Sequence, residues 1–278
     1  MADVKNGIKE YPLSRDLSDF NRLNLQHYLW KDIFGYALHP KVPRDQKSLK
    51  VADVGTGTGI WLLDMASQLD DDSAEFVGID TDVTQVGPAE WLPQNLSIRQ
   101  WSVFTDVPED LVGKFDIVNI RLFCWVIETN PAAVLQKLTK LLKPGGYLQW
   151  CELDMESMRI ETISPDVPTN SLETLWAQAI PNDSLMVPTW VKELPRMFED
   201  EGLVGVTADW QIGKRHTCLS IHWCNLPTLK MVADKLRPVN PEKASEIDQL
   251  VDVAFSQSRK GAMFQYNRVV VIGQKPEK

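Results

Sequence analysis

The stretch that decides the fold is Val51-Ala52-Asp53-Val54-Gly55-Thr56-Gly57-Thr58-Gly59-Ile60-Trp61. Its β-branched beginning is typical of a strand, which passes directly into three alternating glycines and then into a helix-forming run. Glycine adopts positive φ at little cost and carries no side chain, so the backbone of such a turn comes close to a ligand at the amino end of the helix. The stretch therefore predicts a strand, a ligand-binding turn and a helix.

The spacing of the glycines narrows the choice of ligand. A dinucleotide-binding turn has glycine at the sixth position of G-x-G-x-x-G, where this chain has Ile60, and a phosphate-binding loop needs G-K-[ST], which is absent. Asp53 adds a carboxylate just before the turn. That charge is unfavourable beside a pyrophosphate and favourable beside an ammonium or sulfonium group. The turn is thus predicted to bind a cationic ligand rather than NAD.

A second acid lies at the end of the next predicted strand. Asp80 closes the run Phe76-Val77-Gly78-Ile79-Asp80, about 20 residues beyond the glycines, where a carboxylate can accept both hydroxyls of a ribose. An aspartate at a strand end is also a common helix cap, and alone it carries little information. Together with the glycine turn, Asp80 predicts an adenosine site.

The rest of the chain divides by pattern into three segments of a single domain, residues 1–278. Residues 1–47 contain one helical stretch, predicted over 17–38. Residues 48–153 alternate β-branched and helical runs, which indicates βαβ units on a parallel sheet, and residues 154–278 add cap helices and two strands. Predicted strands cover 49–54, 76–80, 96–101, 115–120, 147–153, 204–212 and 264–273, and the later helices 60–69, 132–142, 172–179, 191–201 and about 221–258.

The composition disfavours several classes of function. With 278 residues, 44% of them hydrophobic, the chain has no apolar run of the roughly 18 residues that span a membrane. A formal charge of -9 disfavours nucleic-acid phosphates. The four cysteines lack C-x-x-C spacing, so we expect reduced thiols and no metal site. Without a secretory signal, a cytoplasmic protein with a small-molecule partner, and no nucleic-acid or membrane partner, is expected.

Four motifs resemble those of class I S-adenosylmethionine-dependent methyltransferases: Asp53–Gly59, Gly78–Asp80, Phe115–Val118 and Leu142–Leu148. The resemblance covers at least residues 50–153. It implies an α/β fold, a Rossmann-like seven-stranded mixed sheet with helices on both faces, an antiparallel last strand, an N-terminal helix and helical cap insertions. It also implies S-adenosyl-L-methionine as the cofactor.

The same resemblance assigns the cofactor contacts. The backbone near Gly55 and Gly57 would follow the methionine part, Asp80 would bind the ribose, and Ser102 and Val103 would flank the adenine. Many members of the class have an acid at one of the last two positions, and this chain has none. The full set of expected contacts is Asp53, Gly55, Thr56, Gly57, Gly59, Asp80, Thr81, Ser102, Val103, Arg121 and Trp30.

Three further charged residues end predicted strands. Arg121 lies at a carboxyl end of the sheet, where open α/β sheets bind ligands. It either contacts the methionine carboxylate or forms a surface ion pair. Glu152 and Asp154 end the following strand, and they either orient the substrate or cap a helix, and the helix cap is the interpretation we favour.

A narrower resemblance relates Arg22–His27, Gly57–Trp61, Ile120–Leu122 and Trp150–Asp154 to the fungal secondary-metabolite methyltransferases, a group that also contains a regulator of metabolite clusters. Over its length the chain is similar, more particularly, to the enzymes that methylate the thiols of reduced gliotoxin. This implies methylation of a small-molecule thiol, on both sulfurs of a reduced epidithiodiketopiperazine. The alternatives are O- or N-methylation of another metabolite, or a regulatory protein that binds the cofactor with little turnover.

This chemistry needs few catalytic groups. Methyl transfer from a sulfonium is an in-line displacement, so holding the acceptor about 3 Å from the methyl supplies most of the rate. A thiol, with a reference pKa of about 8.5, ionises appreciably near neutrality and suits a site without an evident base. His27 is the candidate base, and its alternative role, a structural hydrogen bond, is the one we favour.

Aromatic and methionine side chains predict the substrate pocket. The chain has ten tryptophans, and such side chains suit a flat, partly apolar ligand, although core packing explains many of them equally well. His216 and His222 lie in the late helical region; lining the substrate pocket is the lesser alternative for them, and neither receives a catalytic role. We expect a pocket over the methyl group that is lined by some of Phe123, Trp125, Met155, Met186, Trp190 and Met231.

Overall fold

The computed structural model describes residues 15–69, 71–179 and 187–277. The strands, in chain order, are β1 Lys50–Val54, β2 Glu75–Asp80, β3 Leu96–Gln100, β4 Phe115–Arg121, β5 Leu142–Thr162, β6 Val204–Gln211 and β7 Ala262–Gln274. The helices are α1 Leu17–Phe34, α2 Ile60–Gln68, α3 Pro131–Leu141, α4 Asn170–Ala179, α5 Leu194–Asp200, α6 Arg215–Leu236 and α7 Pro241–Ser258.

The strands form one sheet in the order β3-β2-β1-β4-β5-β7-β6. Strands β1 to β5 pair in parallel, whereas β7 is antiparallel to both β5 and β6. The predicted seven-stranded mixed sheet with an antiparallel last strand is thereby confirmed. The strand order reverses between β1 and β4, and ligands of open α/β sheets bind beyond the carboxyl ends of the strands at such a point.

The central strands are apolar because both faces of the sheet are covered. Both β1 and β4 are buried along most of their length. Helix α3 packs against β4 and β5 and buries Val134, Leu135, Leu138 and Leu141, the spacing of an amphipathic helix. This packing fixes the strand ends that carry the glycine turn and Arg121.

Several predicted helix boundaries were wrong. Helix α1 ends at Phe34 rather than at residue 38, because Gly35 adopts a left-handed conformation with φ 80° and donates its N–H to the Lys31 carbonyl. The stretch 221–258 is two helices packed on each other, α6 and α7. The second begins after Asn240, whose side chain caps it by accepting the Lys243 N–H. A 3₁₀ turn precedes α5, which therefore begins later than predicted.

Strand β5 is much longer than predicted. It continues past residue 153 to Thr162 because its second half pairs with β7, with a register shift between Asp154 and Arg159. A second, smaller apolar cluster from α4, α6 and α7 packs on this β5–β7 ribbon. The ribbon and these helices form the predicted cap.

Helix α1 joins α2, which follows the glycine turn, to α6 of the cap. Its His27 and Lys31 bond to Asp64 on α2 at 2.9 and 2.8 Å, and its Gln26 donates to Asn225 on α6 at 3.1 Å. Helix α1 thus packs against both α2 and α6. Across the described ranges, no helix has the combination of length and apolar content that crossing a bilayer requires.

Candidate active site

The turn after β1 has the geometry that a closely approaching ligand requires. Gly55, Gly57 and Gly59 have φ values of 72°, 54° and 76°, which residues with side chains rarely adopt. A Cβ atom at Gly55 would lie 2.2 Å from the ring of Phe123, so this position has no room for a side chain. Gly59 directly precedes α2, so the turn places its backbone at a helix amino end.

Asp80 closes β2 beside this turn. Its Oδ2 accepts the Gly57 N–H at 2.9 Å, and its Oδ1 accepts the Asp82 N–H at 3.1 Å. The Thr81 hydroxyl donates to the same carboxylate at 3.4 Å. The acid is therefore held against the glycine turn, where a ribose contact requires it.

Asp53 is buried immediately before the turn. Asn119 on β4 donates to its Oδ1 at 2.7 Å, and Gln149 on β5 donates in turn to Asn119 at 2.9 Å. Burial raises the pKa of Asp53 to about 6, although the Asn119 hydrogen bond and the charge of Arg121 act to lower it. At neutral pH this carboxylate is a fixed negative charge that suits a cationic ligand.

Arg121 ends β4 under helix α1. Its guanidinium donates to Nδ1 of His27 at 3.2 Å, and burial lowers its pKa while Asp53 and Asp64 act to raise it. The surface ion pair considered from the sequence is wrong, because the hydrogen-bond partner of Arg121 is a fully buried imidazole. Arg121 therefore faces the interior near the crevice.

His27 has both ring nitrogens engaged. Since Arg121 can only donate, Nδ1 is the acceptor, and Nε2 carries the hydrogen that Asp64 accepts at 2.9 Å. Burial, helped by the charge of Arg121, lowers the pKa of His27 to about 4. A neutral imidazole with no unengaged lone pair is poorly suited to be a general base, so the geometry favours the structural role.

Ser102 and Val103 lie in the loop after β3, beside the end of β2 at which Asp80 lies. The backbone N–H of the neighbouring Trp101 donates to the Asp80 carbonyl oxygen at 3.0 Å. This hydrogen bond joins the loop after β3 to Asp80. The Ser102 hydroxyl accepts the Phe104 N–H at 3.3 Å, and Val103 is buried. The structure thus brings the predicted adenine-flanking residues to the same edge as Asp80.

Two other predicted cofactor contacts, Thr56 and Trp30, are both buried, but only Thr56 lies in the glycine turn. Thr56 is buried within the glycine turn. Trp30 belongs to the core and stacks on Phe34, with ring centroids 5.1 Å apart. Its role here is packing of α1, and its contact with the cofactor stays a prediction.

Glu152 on β5 accepts hydrogen bonds from the backbone of residues 122–127, a segment that we call the 122–127 turn. Its Oε1 accepts the Phe123 N–H and the Trp150 Nε1–H, both at 2.8 Å, and its Oε2 accepts the Cys124 N–H at 3.1 Å. Burial raises its pKa to about 7, against these hydrogen bonds. The favoured role of a helix cap is therefore wrong for Glu152, because the backbone N–H groups that it accepts belong to a turn after β4.

The 122–127 turn leads to a cavity in the cap, which we call the cap cavity. No Asp, Glu, Lys or Arg of the described residues lines it. An uncharged, apolar ligand therefore fits the cavity best. Its apolar walls come from the turn, the β5–β7 ribbon, α4 and α6, and include Trp125, Met155, Met158, Trp176, Leu226 and Phe264.

Trp125 and Met155 are the predicted substrate residues that the structure brings to this cavity. Phe123 lies instead against Gly55, between the glycine turn and the cavity. Two others are not among the lining side chains: Trp190 packs against Trp150 and Met231 is buried on α6. Met186 lies outside the described residues.

Four polar residues that line the cap cavity are missing from the predicted substrate contacts: His222, Asn225, Thr228 and Tyr266. His222 accepts the Phe264 N–H at Nδ1, 3.4 Å away, and its Nε2 has no hydrogen-bond partner in the described chain. Asn225 donates to the Tyr266 hydroxyl at 2.8 Å and accepts from Gln26. No local motif marks these positions, which come together only through the packing of α6 on the ribbon.

A seven-stranded α/β sheet with a glycine turn after β1 and an acid ending β2 defines the class I S-adenosylmethionine-dependent methyltransferases. Residues 45–202 match a family model described as a methyltransferase domain. The chain belongs to that family. The cofactor of the class is S-adenosyl-L-methionine, and the positive-φ glycines, Asp53 and Asp80 fit it.

Several known proteins are similar to this chain. Methyltransferase grgD of a Penicillium species is 36% identical over 56% of this chain and 57% of its own length. The N-methyltransferase tcpN of Claviceps purpurea is 35% identical, with 56% and 55% covered, and the secondary metabolism regulator LAE1 of Cochliobolus heterostrophus is 31% identical, with 58% and 52% covered. The chain thus spans about half the length of these relatives.

A solved structure supports the fold. The methyltransferase in complex with the Trm112 activator from Haloferax volcanii is 15% identical, with a TM-score of 0.55 over 96% of this chain and 98% of that one. At this identity the likeness concerns the fold alone.

Proposed function

We propose that the protein transfers a methyl group from S-adenosyl-L-methionine to an uncharged small molecule held in the cap cavity. The 122–127 turn carries the proposal. Phe123 lies against Gly55 of the glycine turn, and Trp125, two residues on, lines the cavity. The cofactor turn and the cavity are therefore neighbours, as transfer between two bound molecules requires.

The residues around the glycine turn would hold the cofactor, which supplies an electrophilic methyl group on a sulfonium. The turn offers backbone to the methionine part, and Asp53 offers a fixed negative charge. In this proposal Asp80 binds the ribose, Ser102 and Val103 flank the adenine, and Arg121 contacts the methionine carboxylate. The protein's contribution to the rate is then mainly positioning and charge complementarity.

A thiol is the acceptor that we favour. The described lining of the cap cavity contains no carboxylate or lysine, and His27 is neutral with both nitrogens engaged. An alcohol needs a base, whereas a thiol with a pKa of about 8.5 ionises without one. A reduced epidithiodiketopiperazine, an uncharged ring system with two thiols, is our specific candidate, with both sulfurs methylated.

Nitrogen is the second candidate acceptor. It is favoured by the similarity to tcpN, which is described as an N-methyltransferase. An uncharged amine carries its own lone pair and needs no strong base. A regulatory protein with little turnover is a third candidate, favoured by the similarity to LAE1.

We expect the protein to act in the cytosol on small molecules, without a nucleic-acid or membrane partner. Its cysteines, Cys124, Cys151, Cys218 and Cys224, are buried and free, which suits a reducing compartment. The acidic net charge of -9 supports the exclusion of nucleic acid.

Mass spectrometry with a panel of acceptors tests the proposal. The full chain is incubated with S-adenosyl-L-methionine, a reductant, and a dithiol, an amine and a phenol built on one aromatic diketopiperazine. Methylation of both sulfurs supports the thiol proposal, and transfer only to the amine moves the assignment to nitrogen. Cofactor binding without transfer to any acceptor contradicts an enzymatic role and leaves the regulatory candidate.

A further inference from the structure

Two of the side chains that line the cap cavity each carry a buried nitrogen atom that no described protein group pairs with. Trp125 Nε1 and His222 Nε2 are buried and lack hydrogen-bond partners within residues 15–69, 71–179 and 187–277, and both side chains line the cavity. Leaving a buried polar group unpaired costs of order 1–3 kcal/mol. Folded proteins retain such groups where a ligand supplies the missing partner.

Both nitrogens are donors. The indole Nε1 of Trp125 can only donate. At His222, the backbone N–H of Phe264 donates to Nδ1 at 3.4 Å, so the neutral ring carries its hydrogen on Nε2. Burial lowers the pKa of His222 to about 4, which keeps the ring neutral at physiological pH.

Asn225, Thr228 and Tyr266, which also line the cavity, already have partners within the chain. Asn225 accepts from Gln26 at 3.1 Å and donates to the Tyr266 hydroxyl at 2.8 Å. The Thr228 hydroxyl donates to the Asn225 carbonyl at 2.6 Å. Among the residues that line the cavity, the buried nitrogens without a partner in the described chain are therefore the neutral N–H donors of Trp125 and His222.

We infer that Trp125 and His222 bind carbonyl oxygens of the substrate and so determine its class and its orientation. The inference rests on the proposed function and narrows the substrate to uncharged amides or ketones with apolar groups. An ionised carboxylate is disfavoured, because among apolar walls it has no opposite charge to offset its desolvation. The diketopiperazine ring has two amide carbonyls, one for each donor.

Both donors are rigidly held, as specific recognition requires. His222 is 4% exposed, packs edge-on against Phe264 with ring centroids 5.7 Å apart, and sits on α6, which Asn225 joins to α1. Trp125 is held by the 122–127 turn, whose backbone N–H groups donate to Glu152. Donors that are fixed before binding lose little entropy when the ligand arrives.

Calorimetry on the full chain, saturated with S-adenosylhomocysteine, tests the inference. The probes are the cyclic dipeptide of two phenylalanines and its dithioxo analogue, in which sulfur replaces both carbonyl oxygens and accepts hydrogen bonds more weakly. We expect the wild type to prefer the oxo probe by about threefold to tenfold for each donor. His222→Phe and Trp125→Phe each remove one donor. Each variant should therefore prefer the oxo probe about threefold to tenfold less than the wild type does.

His222→Gln is the matched control, because its amide N–H falls near the position of Nε2 and should restore the preference. Both His222 variants lose Nδ1, the acceptor of the Phe264 N–H, so the comparison between them reports the polar amide against an apolar ring at the same position. Met158→Leu, in the same cavity, removes no hydrogen-bond donor and should change the affinity for the two probes by the same factor.

Equal affinity of the wild type for both probes, no binding of either, or an undiminished preference in His222→Phe overturns the inference. None of these readouts depends on methyl transfer. If the oxo preference behaves as expected while no acceptor is methylated, the proposed function fails and the inference stands. If transfer occurs without the preference, the inference alone fails.

Discussion

The backbone N–H of Gly57 donates to Oδ2 of Asp80 at 2.9 Å. This hydrogen bond joins the glycine turn after β1 to the acid that ends β2. The two motifs that the sequence places 23 positions apart are thus parts of one rigid site. A substitution at either residue should therefore disturb the position of the other.

Asp80→Ala is expected to weaken cofactor binding by at least about tenfold, because it removes the ribose acceptor and a charged partner of the Gly57 N–H. Calorimetry with S-adenosylhomocysteine measures the effect. Asp71→Asn is the control, because Asp71 accepts from Ser48 and Ser73 at the amino ends of β1 and β2, away from the glycine turn. The cofactor affinity of this variant should match that of the wild type. An Asp80 variant with wild-type affinity and intact circular dichroism excludes the ribose assignment.

Gly55→Ala is expected to lose more stability than Gly113→Ala. Both glycines have positive φ, 72° and 64°, so both variants carry backbone strain of about 1–2 kcal/mol. Only at Gly55 does the added Cβ meet another group, the Phe123 ring at 2.2 Å, whereas Gly113 has nothing within 4 Å. Urea unfolding compares the two variants. Equal losses in the free energy of unfolding would show that the Phe123 ring moves away from the added Cβ without cost.

Glu152→Gln is expected to destabilise the protein by about 1–3 kcal/mol, because its amide group cannot accept all the N–H donors that the carboxylate accepts. It should also weaken binding in the cap cavity, since Trp125 depends on the same turn. Glu156→Gln, on the same strand, removes only an exposed ion pair with Lys192 and should cost at most about 1 kcal/mol. Similar unfolding midpoints for the two variants would refute the role of the Glu152 hydrogen bonds in stabilising the turn.

Cofactor affinity should fall as pH falls through about 6, the raised pKa of Asp53. Below that pH the buried carboxyl becomes protonated and no longer attracts the cationic cofactor, and above it the carboxylate is charged. Asp53→Asn should bind more weakly at neutral pH and show a flatter profile. Calorimetric titrations at several pH values decide this, with unfolding followed at each pH. An unchanged slope in the variant assigns the titration to another group.

The cofactor half was largely predictable from the sequence because its signals are local. The glycine turn, its helix and Asp80 lie within short segments whose conformation depends on their own residues, and the sheet follows from the alternation of strands and helices. Even here the end of α1 was misplaced, although Gly35 was a readable C-cap signal.

The cap half was not predictable in the same way. His222 and Tyr266 lie more than 40 positions apart and meet only because α6 packs on the β5–β7 ribbon. The length of β5 depends on its pairing with β7, which no local pattern announces. Likewise, the contact between Arg121 and His27 joins residues from two distant elements. Such contacts depend on tertiary packing that residue spacing does not encode.

The central claim is that the glycine turn and the cap cavity form one methyl-transfer site. Single-turnover mass spectrometry tests it most directly, using S-adenosylmethionine with a deuterated methyl group and a reduced aromatic epidithiodiketopiperazine. We predict a deuterated methyl on each sulfur with the wild type, and slower transfer at subsaturating substrate, with unchanged cofactor affinity, in Trp125→Phe. Tight cofactor binding with no labelled thiol, amine or phenol product would contradict the claim.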